Sequence, residues 1–298
     1  MEDKSVLVTG GSGFIGGHIV ETLSADNDVA VLDTAAGDHP NGVTAIHGDI
    51  RDEATVDAAV EGVDVVFHEA ALVSVAESVE RPTESHAINA TGTLNVLEAA
   101  RTHDARVVIA SSAAVYGDPE ETPVDEGQRL EPTSPYGLDK VASDHYARLY
   151  EDLYGLDTVA LRYFNVYGPG QTGGDYAGVI TVFLQQARNG EPITVHGDGT
   201  QTRDFVHIDD VVRANLLAAE TDAVGRAYNV GTGESVTIRE LAELIRDAVG
   251  SDSEIVHTDP RPGDIQHSCA DIGRARSALG YEPTVDLEAG LRTLVDGR

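Results

Sequence analysis

At 298 residues the chain is long enough for one large domain, or two modest ones, around a sizeable core. Its 51 acidic against 20 basic residues give a formal net charge of -31, a surface that repels nucleic acid and anionic membranes and makes both poor partners. One cysteine, Cys269, rules out an internal disulfide and a cysteine-based metal cluster, and the scattered histidines show no metal-ligand spacing.

The N-terminus MEDKSVLVTGG passes directly into a strand-like run, SVLVTG, without a signal-peptide layout. No apolar run approaches the roughly 18 residues that cross a bilayer, so a soluble cytoplasmic protein is expected. The strand leads straight into GSGFIGGHIVETL, which places Gly10, Gly13 and Gly16 at three-residue spacing ahead of a helix. A phosphate lying against a helix N-terminus needs backbone N–H groups free of side chains and a tight turn before them. Gly10 suits the turn, Gly13 the approach of a pyrophosphate, and Gly16 close packing of helix on sheet. A purely structural turn is the alternative. The next strand, DVAVLD, ends in Asp33, whose carboxylate suits ribose hydroxyls and would repel a 2′-phosphate. NAD is therefore expected rather than NADP.

The runs VTAIHGD, VDVVFHEAA, ARVVIASS and DTVALRYFN are rich in Val, Ile and Ala and bounded by Gly or Asp, as strands buried on both faces should be. Amphipathic helices are expected over 85–103 and 135–154. Strand and helix in alternation predict an α/β fold, a doubly wound parallel (Rossmann) sheet over residues 1–170. After Gly168-Pro169-Gly170 the rhythm loosens, with glycine-rich turns at 173–178 and 197–199. Residues 171–298 are expected to form mainly a smaller C-terminal α/β lobe for substrate, while helices at 209–220 and 237–249 suit either lobe.

The helix at 135–154 carries the sharpest chemical signal. Ser134 suits the N-cap, Pro135 the first helical position, and Gly155 the stop. Tyr136 and Lys140 stand at i and i+4, on one helix face. A phenol with a pKa near 10 is a poor base at neutral pH, and a nearby ammonium favours the phenolate. The chain has 10 Tyr and only two lysines, Lys4 and Lys140, so a chance Tyr-x-x-x-Lys is expected about 0.07 times. The same scarcity of Lys, with acids spread along the chain, reads as adaptation to high salt, which screens self-repulsion; an ordinary acidic protein is the alternative.

Together the motifs TGGSGFIG (9–16), GDIRD (48–52), HEAA (68–71), SSAAVYG (111–117), YGLDK (136–140), LRYFNVYGP (161–169), QTRDFVHIDD (201–210) and RPGDIQHSCAD (261–271) resemble the extended short-chain dehydrogenase/reductase family, in its nucleotide-sugar epimerase/dehydratase branch. The resemblance spans essentially the whole chain. It implies NAD held by Gly10, Gly13, Phe14, Ile15, Gly16, Asp33, Asp49, Ile50, Ala70, Ala71, Asn89, Tyr136, Lys140 and Tyr163. It also implies Tyr136 as catalytic base, Ser112 as relay to the sugar 4-hydroxyl, and Lys140 as the group that holds the nicotinamide ribose and lowers the tyrosine pKa. No metal enters this chemistry.

Within the family, C4 epimerisation through a transient 4-keto sugar is expected. Similar dehydratases and decarboxylases carry acidic residues just after the serine, where this chain has Ala113 and Ala114. A UDP-glucuronate epimerase, a 4,6-dehydratase, a 4-keto reductase and a non-catalytic NAD-binding regulator are the competing readings. The resemblance places Asn165, Arg203 and Arg261 near the substrate phosphates, Asp264 near the ribose, and Val179, Thr194 and His196 around the base. UDP is the implied nucleotide, with dTDP and GDP open. At Ser268, plain-hexose epimerases carry a large aromatic, so N-acetylated sugars are expected to fit. A homodimer through the two long helices is implied, although Leu94, Leu97, Leu149 and Leu153 suit the protein's own sheet equally.

Overall fold

Val6, Leu7 and Val8 on β1 (Ser5–Thr9) have no access to water, as a strand covered by helices on both sides requires. The computed structural model describes residues 1–171, 178–261 and 263–296, so the turn expected at 173–178 lies outside the described residues except for Gly178. From β1 the chain runs through α1 (Phe14–Leu23), β2 (Asp28–Asp33), β3 (Thr44–His47), α2 (Glu53–Val60), β4 (Val65–His68), α3 (Val75–Glu80), α4 (Pro82–His86), α5 (Thr93–His103), β5 (Arg106–Ser112), α6 (Pro135–Tyr154) and β6 (Thr158–Tyr163). There follow β7 (Asn165–Tyr167), α7 (Val179–Asn189), β8 (Ile193–His196), β9 (Thr202–Arg203), β10 (Phe205–His207), α8 (Ile208–Glu220), β11 (Arg226–Val230), β12 (Val236–Thr237), α9 (Ile238–Val249), β13 (Ile255–Thr258), α10 (Gly273–Leu279) and α11 (Leu287–Asp296).

Seven parallel strands make the central sheet in the order β11-β6-β5-β4-β1-β2-β3. Alternate side chains feed two cores. Val6 and Val8 pack with Ile19, Val20 and Val211 on one face, while Leu7 joins Val56, Leu97 and Ala147 on the other. The strand order reverses between β1 and β4, and the crevice at such a reversal is where this architecture binds ligands. Two sequence expectations need correction. β3 is an edge strand with Thr44, Ala45 and His47 exposed, so it is not buried on both faces. The helix expected at 85–103 is continuous but begins earlier and is not α throughout: α4 and α5 are joined without a break by a π-helical turn, Ala87–Gly92. No described helix is long and apolar enough to cross a membrane.

A third core, built on Phe183, Ile193, Val195, Leu241 and Ile245, holds the smaller layer of α7, α9, β8 and β13. α9 belongs there, held by a capping box in which Thr237 and Glu240 satisfy each other's backbone N–H groups. By contrast, α8 packs on α1, β5 and β6, and β11 pairs with β6, so residues after 170 help build the central sheet and its cover.

Candidate active site

The glycine loop sits at the strand-order reversal. Gly10 has φ +72, and a Cβ there would stand 2.7 Å from the backbone N of Ala70, so both the left-handed turn and the contact between β1 and β4 require glycine. Gly13 caps α1 with extended backbone and no side-chain bond to the first-turn amides, leaving them available to a phosphate. A Cβ on Gly16 would run into the Gly10 carbonyl. Phe14 and Ile15 are half-buried in that first turn. Asp33 accepts from Ser12 N at 3.0 Å and Ala35 N at 2.9 Å, which fixes its carboxylate beside the loop. This cradle fits a dinucleotide.

The other residues expected around the cofactor divide by what they touch. Asp49 is clamped by Arg51, whose side-chain hydrogen bond holds its carboxyl below the usual range. Ile50 is buried, and its carbonyl accepts from Asn95 at 2.9 Å. Ala70 donates its N–H to Thr9 Oγ1 at 3.3 Å, and Ala71 follows it at the mouth of the crevice. Asn89, from the π-helical turn, spends its amide on Leu72, accepting from N at 2.8 Å and donating to O at 3.0 Å. Its side chain therefore fixes the segment after β4.

β5 delivers Ser112 at its carboxyl end, and α6 brings Tyr136 and Lys140 across it. Ser134 caps α6, accepting from Gly137 N at 3.1 Å, so the first turn that carries Tyr136 is pinned. Ser112 Oγ accepts from Ala114 N at 3.1 Å and lies close enough to the Tyr136 phenol to draw its pKa down. Lys140 lies 5.9 Å from the centre of the Tyr136 ring and donates to the Ala110 carbonyl at 2.7 Å. Both side chains are nearly or wholly buried, Lys140 at 5 % exposure. Burial pulls the Lys140 amine down to about 8, against the charges of Glu69 and Asp139. The protein groups move Tyr136 upward, contrary to the lowering expected from the Tyr–Lys pairing: burial raises it most, Ser112 lowers it, and Glu69 raises it. Desolvation of the phenolate outweighs what Ser112 contributes.

Beside β8 and β13 a cavity of about 690 Å³ is lined by His196, His257, Thr258, Arg261 and Asp264. Arg203 stands apart from that lining but is ion-paired to Asp264. Asn165 is held by the Asp204 carbonyl at 3.0 Å. Thr194 Oγ1 accepts from Gln186 at 3.3 Å, and Val179 opens α7; neither lines the cavity. Ser268 is buried at 4 % exposure, its N–H given to the Thr202 carbonyl.

Sequence reasoning gave no role to three residues that organise this region. Asp204 is buried and accepts from Thr232 N at 2.8 Å, Gly233 N at 3.0 Å and Ala270 N at 3.0 Å, joining the segments that carry Arg203 and Ser268. His68 bridges Thr9 Oγ1 at 2.7 Å and Thr93 Oγ1 at 2.9 Å, with burial pushing it down to about 3. Glu69, quoted in HEAA and left unassigned, accepts from the Tyr163 hydroxyl at 2.8 Å.

The profile described as the NAD dependent epimerase/dehydratase family matches residues 6–231. UDP-glucose 4-epimerase of Mycolicibacterium smegmatis is 38% identical over 97% of both chains. Among solved structures, UDP-N-acetylglucosamine 4-epimerase from Methanobrevibacter ruminantium, in complex with UDP-N-acetylmuramic acid, superposes with TM-score 0.95 at 40% identity, covering 99% of this chain and 98% of the other. UDP-glucose 4-epimerase of Thermus thermophilus in complex with NAD gives TM-score 0.90 at 40% identity over 98% of both chains. The crevice at the strand-order reversal, with its glycine cradle and buried Tyr–Lys pair, thus belongs to a chain of the NAD-dependent epimerase/dehydratase family.

Proposed function

We propose that the protein is an NAD-dependent 4-epimerase of UDP-linked hexoses, acting on UDP-glucose and UDP-galactose and on their N-acetylated counterparts. The observation that carries this reading is the buried Tyr136–Lys140 pair on α6 beside Ser112 at the end of β5, with two alanines, Ala113 and Ala114, next in the chain. Bound NAD supplies reversible hydride transfer at the sugar C4, and its cationic ring adds the pull toward phenolate that the protein groups lack. Tyr136 takes the 4-hydroxyl proton, directly or through Ser112, and returns it after the keto sugar has turned. Lys140, fixed on the Ala110 carbonyl, keeps its ammonium by the Tyr136 ring and would hold the nicotinamide ribose. Ala113 and Ala114 cannot move a proton, so elimination and decarboxylation lack an acid at the place where related enzymes supply one.

Arg261 and Asp264 in the cavity, with Arg203 on Asp264, supply cations and a carboxylate for a nucleotide diphosphate, and His196 a flat wall for its base. The local cations matter because the global charge opposes a dianionic ligand. Ser268 leaves room at C2. A proton NMR time course in molar KCl with NAD, with UDP-glucose and UDP-GlcNAc in separate tubes, tests the proposal. New anomeric signals of the C4 epimer in both tubes are expected, without accumulation of reduced cofactor. Turnover of UDP-glucose alone would remove the role given to Ser268, and a keto-deoxy product would replace epimerisation by dehydration.

Two further properties follow from the surface. α6 leaves Leu138, Tyr146, Leu149 and Leu153 exposed, Leu153 at 65 %, so of the four leucines weighed for a dimer face, Leu149 and Leu153 look outward while Leu97 is buried. A second copy covering this face is the proposed occupant, pairing α5 and α6 of both chains. Sedimentation equilibrium in molar KCl is expected to give twice the chain mass, and a monomer mass would remove the dimer. The charge of -31 predicts salt dependence: the urea midpoint should rise by about 1 M or more between about 0.1 and 2 M KCl. Equal midpoints would leave the acidity without a role in high salt.

A further inference from the structure

β4 ends at His68, and a second ionisable residue, Glu69, follows directly after the strand. His68 bonds Thr9 of β1 and Thr93 of α5, and burial keeps it neutral. Glu69 follows it, its N–H given to the Thr9 carbonyl at 3.1 Å, directly under the Gly10 turn. Its carboxylate accepts from Tyr163 at the end of β6, and Tyr163 in turn accepts from Asn215 Nδ2 of α8 at 2.8 Å. His68 is in register with Ile109 on β5, so Glu69 stands beside Ala110, whose carbonyl takes Lys140 at 2.7 Å, while Tyr163 is in register with Ser112. The ionisable groups around Glu69 are therefore Lys140 and Tyr136 from α6 and Tyr163 from β6; Asn215 is uncharged, and the glycine loop carries no ionisable side chain.

We propose that Glu69 is a positioning residue for the proton transfer: anchored on the Tyr163 hydroxyl, its carboxyl sets the charge felt by the Tyr136–Lys140 pair. Burial pushes this carboxyl up to about 7, with the Tyr163 bond and the Lys140 charge pulling it back. It therefore changes charge near neutral pH. When ionised it opposes the Tyr136 phenolate and holds the proton on Lys140, and when neutral it does neither. Glu69 thereby ties the acid and base limbs of the site together, as a shared charge in a coupled set of titrations does.

The inference rests on the reading of Tyr136 as base, and its test separates the two. Glu69→Gln keeps an acceptor for Tyr163 and removes the charge. Both limbs of the pH–rate profile are expected to move to lower pH by about one unit. A merely structural role would lower the rate without moving either limb. Ultraviolet difference titration of tyrosinate in the NAD-loaded enzyme, with the Tyr136→Phe signal subtracted, reads Tyr136 without substrate and should show the same shift. Tyr163→Phe, which removes the hydrogen-bond donor and leaves the carboxyl neutral to higher pH, should shift the signal in the same direction by less, and decides the matter should Glu69→Gln not fold. A Tyr136 signal unmoved in these variants would overturn the role of Glu69 and leave the base standing. No Tyr136 signal in the wild type would sink both.

Discussion

Replacing Tyr136 by Phe should lower kcat by about 10³-fold while NAD still binds, because the substitution removes one hydroxyl and little else. The ring stays, so the packing of α6 on β5 and the cation above the ring are kept. Lys140 keeps its anchor on Ala110 O, and the glycine cradle lies on other elements. What is lost is the group that moves a proton in the transition state, a contribution of roughly 10²–10⁴-fold. Side-by-side measurement of kcat and of bound NAD checks it. A variant with near-normal turnover would transfer the proton to another group, and an NAD-binding regulator without catalysis would show no turnover to lose. The geometry also explains why a lysine stands at 140 in a chain whose other lysine is Lys4, near the N-terminus. A slim stem carrying a compact ammonium reaches a backbone carbonyl in a site only 5 % exposed, where a forked guanidinium would need more partners than the site offers.

What the sequence reveals depends on whether the signal is local. The glycine loop, Asp33 and the capped α6 are written in adjacent residues and appear in the structure at those positions. Six of the seven sheet strands were legible as Val-rich runs, whereas β11 (RAYNV) has too few β-branched residues to announce itself. β3 carries the composition of a buried strand but lies at the sheet edge, because burial there is decided by which neighbour is missing. The π-helical turn at Ala87–Gly92 leaves the apolar spacing of 85–103 nearly intact, so periodicity passes over it, yet it sets where Asn89 reaches Leu72. Glu69 and His68 were visible as letters and silent as chemistry: their roles come from Tyr163 and Asn215, and from Thr9 and Thr93, residues on other elements. The direction of the Tyr136 shift was hidden for the same reason, since burial is a property of the assembled site.

The largest loss of stability is expected at a buried ion pair to which sequence reasoning assigns no role. Arg162, at 2 % exposure on β6, meets Asp144, at 0 % on α6, through Nε at 2.8 Å and Nη2 at 3.1 Å. Its Nη1 donates to the Tyr116 hydroxyl at 2.8 Å and the Glu126 carbonyl at 3.2 Å, and Tyr116 donates onward to Asn229 at 2.6 Å. Asp144 also takes Arg148 at 2.9 Å, from the rim of the same helix. Arg162→Met fills much of the volume but leaves the buried carboxylate facing a thioether, with only the rim arginine in partial support. Breaking such a pair from one side costs about 3–5 kcal/mol, which urea unfolding in molar KCl would read as a lower midpoint at unchanged slope. The double variant Arg162→Met with Asp144→Leu should recover part of that loss, because an apolar pair carries no stranded charge. Equal stability of the single and double variants would mean that Arg148 and water already satisfy Asp144. The site shares the consequence: Asp144 lies one helical turn beyond Lys140, and Ser111, next to Ser112, stands 3.4 Å from it. The pair that holds α6 against the sheet therefore also holds Tyr136 and Lys140 in register with Ser112, and kcat in Arg162→Met should fall at urea concentrations well below those that unfold the chain.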